Sequence, residues 1–131
     1  MNLAVRSLIA AGVLSLLVGG AASAGEFYKF SDEKFKQLQD TNQPILVEID
    51  AGWCPICAKQ RPIIDKLTET PELKNIHILV VSFDGQKDVV RAFGANMQST
   101  LIVFHGAKET GRLVGETDRD LIKGLLEKAE G

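Results

Sequence analysis

The chain has 131 residues, 45% of them hydrophobic, and its 15 basic and 17 acidic side chains give a net charge of −2. This length suits one domain, and the charge balance provides no basic surface for nucleic acid or for an anionic membrane. The only two cysteines, Cys54 and Cys57, lie in one short motif. A bridge over so short a loop restrains little of the unfolded chain, so chemistry explains the pair better than stability does.

The first 24 residues have the three-part pattern of a secretory signal peptide. Arg6 is their only charged side chain, residues 8–18 are apolar, and Ala22-Ser23-Ala24 forms a small-x-small cleavage site. The apolar run is short for a membrane span, although an uncleaved anchor is the alternative interpretation. We therefore predict a signal peptide at 1–24, a mature domain at 25–131 and a periplasmic location.

Beyond residue 24 the pattern alternates between strands and helices. Glu26 to Phe30 predicts a short edge strand, and Ser31 is a suitable N-cap for a first helix. Two nearly continuous apolar runs, Ile45 to Ile49 and Ile76 to Phe83, predict neighbouring parallel strands that are buried on both faces. A helix that contains Pro62 connects them, since its apolar positions repeat at helical spacing.

The last third of the chain predicts a short helix, a hairpin and a final helix. Lys87 to Phe93 forms the short helix, and the hairpin joins strands at Thr100 to His105 and Arg112 to Gly115 through a loop at 106–111. The final helix opens at a capping box, Thr117 to Asp120. Its predicted buried face contains four residues: Leu121, Ile122, Leu125 and Leu126.

The most informative stretch is Ile45 to Pro62, ILVEIDAGWCPICAKQRP. It predicts a buried strand, a loop that ends at Trp53, and a Cys-x-x-Cys motif at the start of a helix. A thiol at a helix N-terminus faces unpaired N–H groups and the positive end of the helix dipole, which both favour the thiolate. Cys54 is therefore a candidate nucleophile, and Cys57, one turn further on, could resolve a mixed disulfide at Cys54.

Glu48 interrupts the apolar strand that precedes this motif. A carboxylate is costly to bury in its ionised form, so burial would raise its pKa. The alternative is that Glu48 points to a solvated edge of the sheet.

The order of strand, Trp-Cys-x-x-Cys and helix, with Pro62 five residues after the second cysteine, resembles the active site of the thioredoxin family, as in exported bacterial thiol-disulfide oxidoreductases. The resemblance covers nearly all of residues 25–131. It implies an α/β architecture, the thioredoxin fold, with a central mixed sheet of four to five strands and helices on both faces. It also implies that Glu48 moves the proton behind Cys57, without any organic cofactor or metal.

One segment departs from the family pattern. Thioredoxins carry a cis-proline opposite the cysteines, in a segment like Ile-Pro-Thr-Leu, and the matching segment here is Gln98-Ser99-Thr100-Leu101. Because a non-proline cis bond costs about 2.5–4 kcal/mol, we expect a trans path at Ser99 or a strained exception.

The resemblance further implies a substrate-binding surface of five residues: Trp53, Pro55, Ile56, Gln98 and Ser99. Trp53 would be a lid beside the disulfide, although an ordinary core aromatic is the alternative. Ile56 supplies no cation that would stabilise a thiolate, which slightly favours a reductase over an oxidant.

The sequence as a whole predicts an exported, monomeric thiol-disulfide oxidoreductase. Its partners would be protein dithiols or disulfides, and a membrane redox partner would recycle it. Two alternatives stay open. One is a binding module without turnover that holds a metal ion or a protein, which the loss of the proline at Ser99 would favour. The other is an inert disulfide in an exported domain.

Overall fold

Strands and helices alternate along residues 25–131, the range that this computed structural model describes, except for two consecutive strands before the last helix. The predicted signal peptide at 1–24 lies outside the described residues. The elements are β1 (Glu26–Lys29), α1 (Asp32–Asp40), β2 (Pro44–Asp50), α2 (Pro55–Thr68), β3 (His77–Ser82), α3 (Lys87–Ala92), β4 (Thr100–His105), β5 (Lys108–Val114) and α4 (Arg119–Glu127). No helix in this range has the length and apolar character needed to cross a membrane.

The strands form one mixed sheet in the order β1-β3-β2-β4-β5. β3 is parallel to both β1 and β2, whereas β4 is antiparallel to β2 and to β5. The parallel strands β2 and β3 are joined through α2, and the antiparallel strands β4 and β5 are joined through a tight turn, as connection rules require. This confirms the predicted fold class, with five strands in the sheet and β1 at its edge.

The central strand β2 separates two apolar cores. On one face Leu46 packs with Ile64 of α2 and Ile122 of α4, and on the other Val47 packs with Leu38 of α1. Successive strand residues point to opposite faces. Glu48 therefore lies on the same face as Leu46, beneath α2, and the end of β2 leads directly to the cysteine motif.

The predicted hairpin was wrong in its extent. Its loop consists of Gly106 and Ala107 alone, and β5 begins at Lys108 rather than at Arg112. One extra residue, Thr110, lies between the strand pairs that join Phe104 to Glu109 and Val103 to Gly111. Polar residues and a glycine at 108–111 indicated a loop, but an edge strand pairs through its backbone and leaves its side chains in water.

The start and the buried face of α4 also required correction. Its N-cap is Asp118, not Thr117, and the Asp118 carboxylate accepts hydrogen bonds from the N–H groups of Asp120 (2.9 Å) and Leu121 (3.0 Å). Leu121 is 54% exposed, although it was predicted to be buried. The apolar stripe is already filled at helical spacing by other residues, which leaves Leu121 beside it. These residues are Ile122, Leu125, Leu126 and Ala129.

Candidate active site

Cys54 and Cys57 form a disulfide at the N-terminus of α2, with their Cα atoms 5.3 Å apart. Cys54 is the N-cap of the helix, and Pro55 follows at its first position. A proline fits there because its φ is already helical and no hydrogen bond is lost. The N–H of Cys57 donates to the Cys54 sulfur over 3.1 Å. After reduction, this donor and the helix dipole would both stabilise a thiolate on Cys54.

The disulfide is nearly buried, but apolar side chains beside it are exposed. Each cysteine is 3% exposed, whereas Trp53, directly before the motif, is 59% exposed and Ile56, within it, is 38% exposed. Exposed apolar groups gathered at one site indicate a docking surface rather than a random distribution. A partner that covers these side chains would be brought directly to the sulfur atoms.

Trp53 is on the outside of the domain, where it is 59% exposed, which excludes the alternative of a core aromatic. Its ring Nε1 donates to Asp84 Oδ2 over 2.7 Å, and Phe83 packs edge-on at 6.3 Å between ring centroids. Asp84 follows β3, and its role as the anchor of Trp53 was missed. No local signal could have revealed it, because the two residues are 31 positions apart.

Glu48 is 1% exposed, so the alternative of a solvated edge was wrong. Burial raises the pKa of Glu48 from 4.5 to about 7; the Arg61 guanidinium opposes this rise, and the carboxylates of Asp50 and Asp65 add to it. A carboxyl group with this pKa is present in both protonation states near neutral pH. It is therefore able both to accept and to return a proton there.

Arg61 of α2 is the direct partner of Glu48. Its Nη2 lies 3.1 Å from Glu48 Oε2, yet neither Glu48 oxygen accepts an aligned hydrogen bond from any residue in the described range. The contact is thus an ion pair with poor hydrogen-bond geometry. Sequence analysis missed Arg61, although residues four apart share a helix face and Arg61 is four residues after Cys57.

The trans path expected at Ser99 is confirmed, since no peptide bond in residues 25–131 is cis. Ser99 has a left-handed φ of 60° and is 1% exposed. Its N–H donates to the Ile49 carbonyl (2.8 Å), and its own carbonyl accepts from the Gly115 N–H (3.0 Å). Gln98 is half-buried, so part of its side chain is accessible to solvent. Ser99 is buried, and its backbone N–H and C=O are hydrogen-bonded within the protein.

A third residue that was not predicted from the sequence is Gln60, which joins α2 to the Ser99 segment. Its side chain is fully buried, and its Nε2 donates to the carbonyls of Ser99 (3.2 Å) and Glu116 (2.9 Å). A polar residue three positions after Cys57, on the same helix face, was the available signal. Gln60 therefore ties α2, the helix that begins at the cysteines, to the backbone at Ser99 and Glu116.

The sulfur atoms border a cavity of about 200 Å³ whose lining includes Asp50, Ala58 and Arg61. Within residues 25–131, no three His, Cys, Asp or Glu side chains are grouped in a way that could hold a metal ion. The two sulfur atoms at this cavity can exchange electrons with a dithiol or disulfide.

Comparison with known proteins identifies the family. The thioredoxin family model matches residues 26–128. Thioredoxin 1 of Nostoc sp. is 30% identical over 99 residues, which cover 75% of this chain and 92% of that protein. The crystal structure of Trxlp from Edwardsiella tarda is 33% identical, with a TM-score of 0.75 over 77% of this chain and 98% of that one. With its Cys-x-x-Cys disulfide at the N-terminus of α2, the chain belongs to the thioredoxin family and is a thiol-disulfide oxidoreductase.

Proposed function

We propose that this enzyme is exported to the periplasm and reduces disulfides in other proteins there. The observation that carries the proposal is the Cys54–Cys57 disulfide, which lies at a helix N-terminus among exposed apolar side chains. The signal-peptide pattern of residues 1–24 supports export. The exposed Trp53 and Ile56 favour a protein surface as the substrate.

The reaction proceeds by two exchanges between sulfur atoms. The Cys54 thiolate attacks a substrate disulfide, so that a mixed disulfide forms and one substrate thiolate leaves. Cys57 then gives its proton to Glu48 and attacks the Cys54 sulfur, which releases the second substrate thiolate. Two electrons have passed to the substrate, and the enzyme holds the Cys54–Cys57 disulfide. A membrane dithiol donor is needed to reduce it again.

The charges around the sulfurs favour reduction over oxidation. Strong oxidants are those whose thiolate is specifically stabilised. Within residues 25–131, Arg61 is the one cationic side chain that lines the cavity at the sulfurs, and its Nη2 is paired with Glu48 Oε2 at 3.1 Å. We therefore expect the reduction potential of the pair to lie nearer to about −270 mV than to the range of about −120 to −180 mV.

Replacement of the resolving cysteine tests the proposal. In a Cys57→Ser variant, Cys54 should form mixed disulfides with periplasmic proteins that cannot be resolved, and these appear as dithiothreitol-sensitive adducts on non-reducing gels. The double variant Cys54→Ser/Cys57→Ser is the matched control and should trap nothing. If the single variant also traps nothing, the exchange reaction does not occur on proteins, and a binding module without turnover becomes the better interpretation. Recovery of the protein only from the cytoplasm would contradict export.

A further inference from the structure

Arg61 lies between Glu48 and the solvent. Two cavities, of about 360 Å³ and 200 Å³, open near the end of β2, and Arg61 lines both while Glu48 lines neither. The Arg61 side chain is 33% exposed and the Glu48 side chain 1%. Water in either cavity therefore meets the guanidinium before it meets the carboxyl group.

The position of Arg61 is fixed by two independent contacts. Besides the ion pair with Glu48, the guanidinium carbon lies 4.7 Å from the centroid of the Phe27 ring, on the edge strand β1. A planar guanidinium stacks well on an aromatic face and keeps its charge at every pH at which the protein is folded. The group beside Glu48 is thus a permanent cation held from two sides.

The other groups around Glu48 all favour its neutral, protonated form. Its strand neighbours are apolar, with Val80 opposite on β3 and Leu101 opposite on β4. Asp50 on β2 and Asp65 on α2 are negatively charged and disfavour the ionised carboxylate. Arg61 is the one cation in residues 25–131 that acts on Glu48 in favour of ionisation.

We propose that Arg61 is a positioning residue for the exchange reaction, which orients the Glu48 carboxyl group and keeps part of it ionised near neutral pH. The inference rests on the proposed role of Glu48 as proton acceptor. The proton passes from the Cys57 sulfur to Glu48, and Arg61 neither gives nor takes one. Without the guanidinium, Glu48 would already hold a proton when Cys57 has to lose its own.

The test is the pH dependence of Glu48 in the full chain and in an Arg61→Met variant. Methionine keeps much of the side-chain volume but removes the charge. The Glu48 carboxyl titration, followed by carbon-13 NMR of the oxidised protein, should move upward by about one pH unit, because an adjacent cation lowers the pKa of a carboxyl group by about 1–3 units when well packed. The pH midpoint for insulin reduction, with dithiothreitol as electron source, should move in the same direction. Arg61→Lys keeps the charge and should bring both midpoints back close to their native values. Arg61→Gln, which also removes the charge but stays polar, repeats the test if the methionine variant folds poorly.

Two control variants separate this inference from the proposed function. Lys59→Met removes a charge from an exposed position of the same helix and should leave both titrations unchanged. Glu48→Gln should abolish the pH midpoint, and Arg61→Met added to it should then have no further effect. If Glu48→Gln abolishes the midpoint but Arg61→Met does not move it, the role of Arg61 is refuted alone. If Glu48→Gln leaves the midpoint in place, the proton-acceptor role of Glu48 is wrong, and the role of Arg61 is wrong with it.

Discussion

Two unfavourable features lie on β2 and beside its end, and the fold compensates them to different degrees. Glu48 is a buried carboxyl group whose oxygens accept no aligned hydrogen bond within residues 25–131, so the ion pair with Arg61 is its main support. Ser99 has a left-handed backbone, but both its N–H and its C=O are hydrogen-bonded. Folds tend to keep uncompensated polar groups where chemistry uses them. In the proposed mechanism, the Glu48 side of the site would serve reactivity and the Ser99 side would serve rigidity.

The largest effect that tests this comparison is the pH dependence of stability. The pKa of Glu48 is about 7 in the folded protein, against 4.5 for an unperturbed glutamate, the value expected in the unfolded chain. Between these values the folded state holds a proton that the unfolded state has released, so stability falls as the pH rises from 4.5 to 7 and is level above. Glu48 should contribute a loss of about 3 kcal/mol over this range. Urea unfolding at pH 4.5 and pH 8 should show the loss in the native sequence and not in Glu48→Gln. An equal loss of stability in both proteins would mean that Glu48 does not cause the pH dependence.

A smaller effect is expected at the Ser99 segment, where the question is whether the hydrogen bonds from Gln60 stabilise the backbone. Gln60→Leu removes the donor to the carbonyls of Ser99 and Glu116, and the Glu116 carbonyl loses a partner. The variant should be destabilised by roughly 1–2 kcal/mol, because the cost of an unsatisfied carbonyl is partly offset by the removal of Gln60 Oε1, which is buried without a hydrogen-bond partner in the described residues. Gln37→Leu, an exposed position on α1, is the matched control and should change stability little. Equal unfolding midpoints for the two variants would show that the hydrogen bonds of Gln60 do not hold the segment.

The smallest effect isolates the backbone of Ser99. Ser99→Gly and Ser99→Ala both remove the hydroxyl group, but only glycine adopts a φ of 60° without a steric penalty. The glycine variant should be more stable than the alanine variant by about 1 kcal/mol, since the left-handed penalty of about 1–2 kcal/mol is partly offset by the flexibility of glycine in the unfolded chain. Denaturant midpoints measured at one pH provide the comparison, and an alanine variant that is the more stable of the two would contradict the assigned strain.

The parts of the site that sequence could predict are those with local causes. The position of Cys54 at a helix start follows from its neighbours in the chain, and the burial of Glu48 follows from the apolar residues around it. Gln60 and Asp84 could not be paired with their partners, because the bonded residues are 39 and 31 positions away. At Ser99 the sequence allowed a trans path or a strained exception, and the structure has the trans path, with a left-handed φ that tertiary hydrogen bonds support.

The fold shows the same division between local and distant causes. Buried strands such as β2 have apolar runs that identify them without knowledge of their neighbours. The edge strand β5 was predicted to start four residues late, at Arg112 instead of Lys108, because its polar side chains resemble a loop and only pairing with β4 makes it a strand. Leu121 was misplaced for a related reason, since the packing of the whole helix decides which apolar residue at the edge of the stripe stays outside.

Trp53 has a practical consequence for following the enzyme. It is the only tryptophan in the chain, it directly precedes Cys54, and its contact with Asp84 holds the ring in place. A disulfide quenches the fluorescence of a neighbouring indole by accepting an electron from its excited state, and thiols do so less efficiently. The fluorescence of Trp53 should therefore increase when the cysteine pair is reduced and decrease when it is oxidised. The redox state of the enzyme could then be followed during turnover without a label.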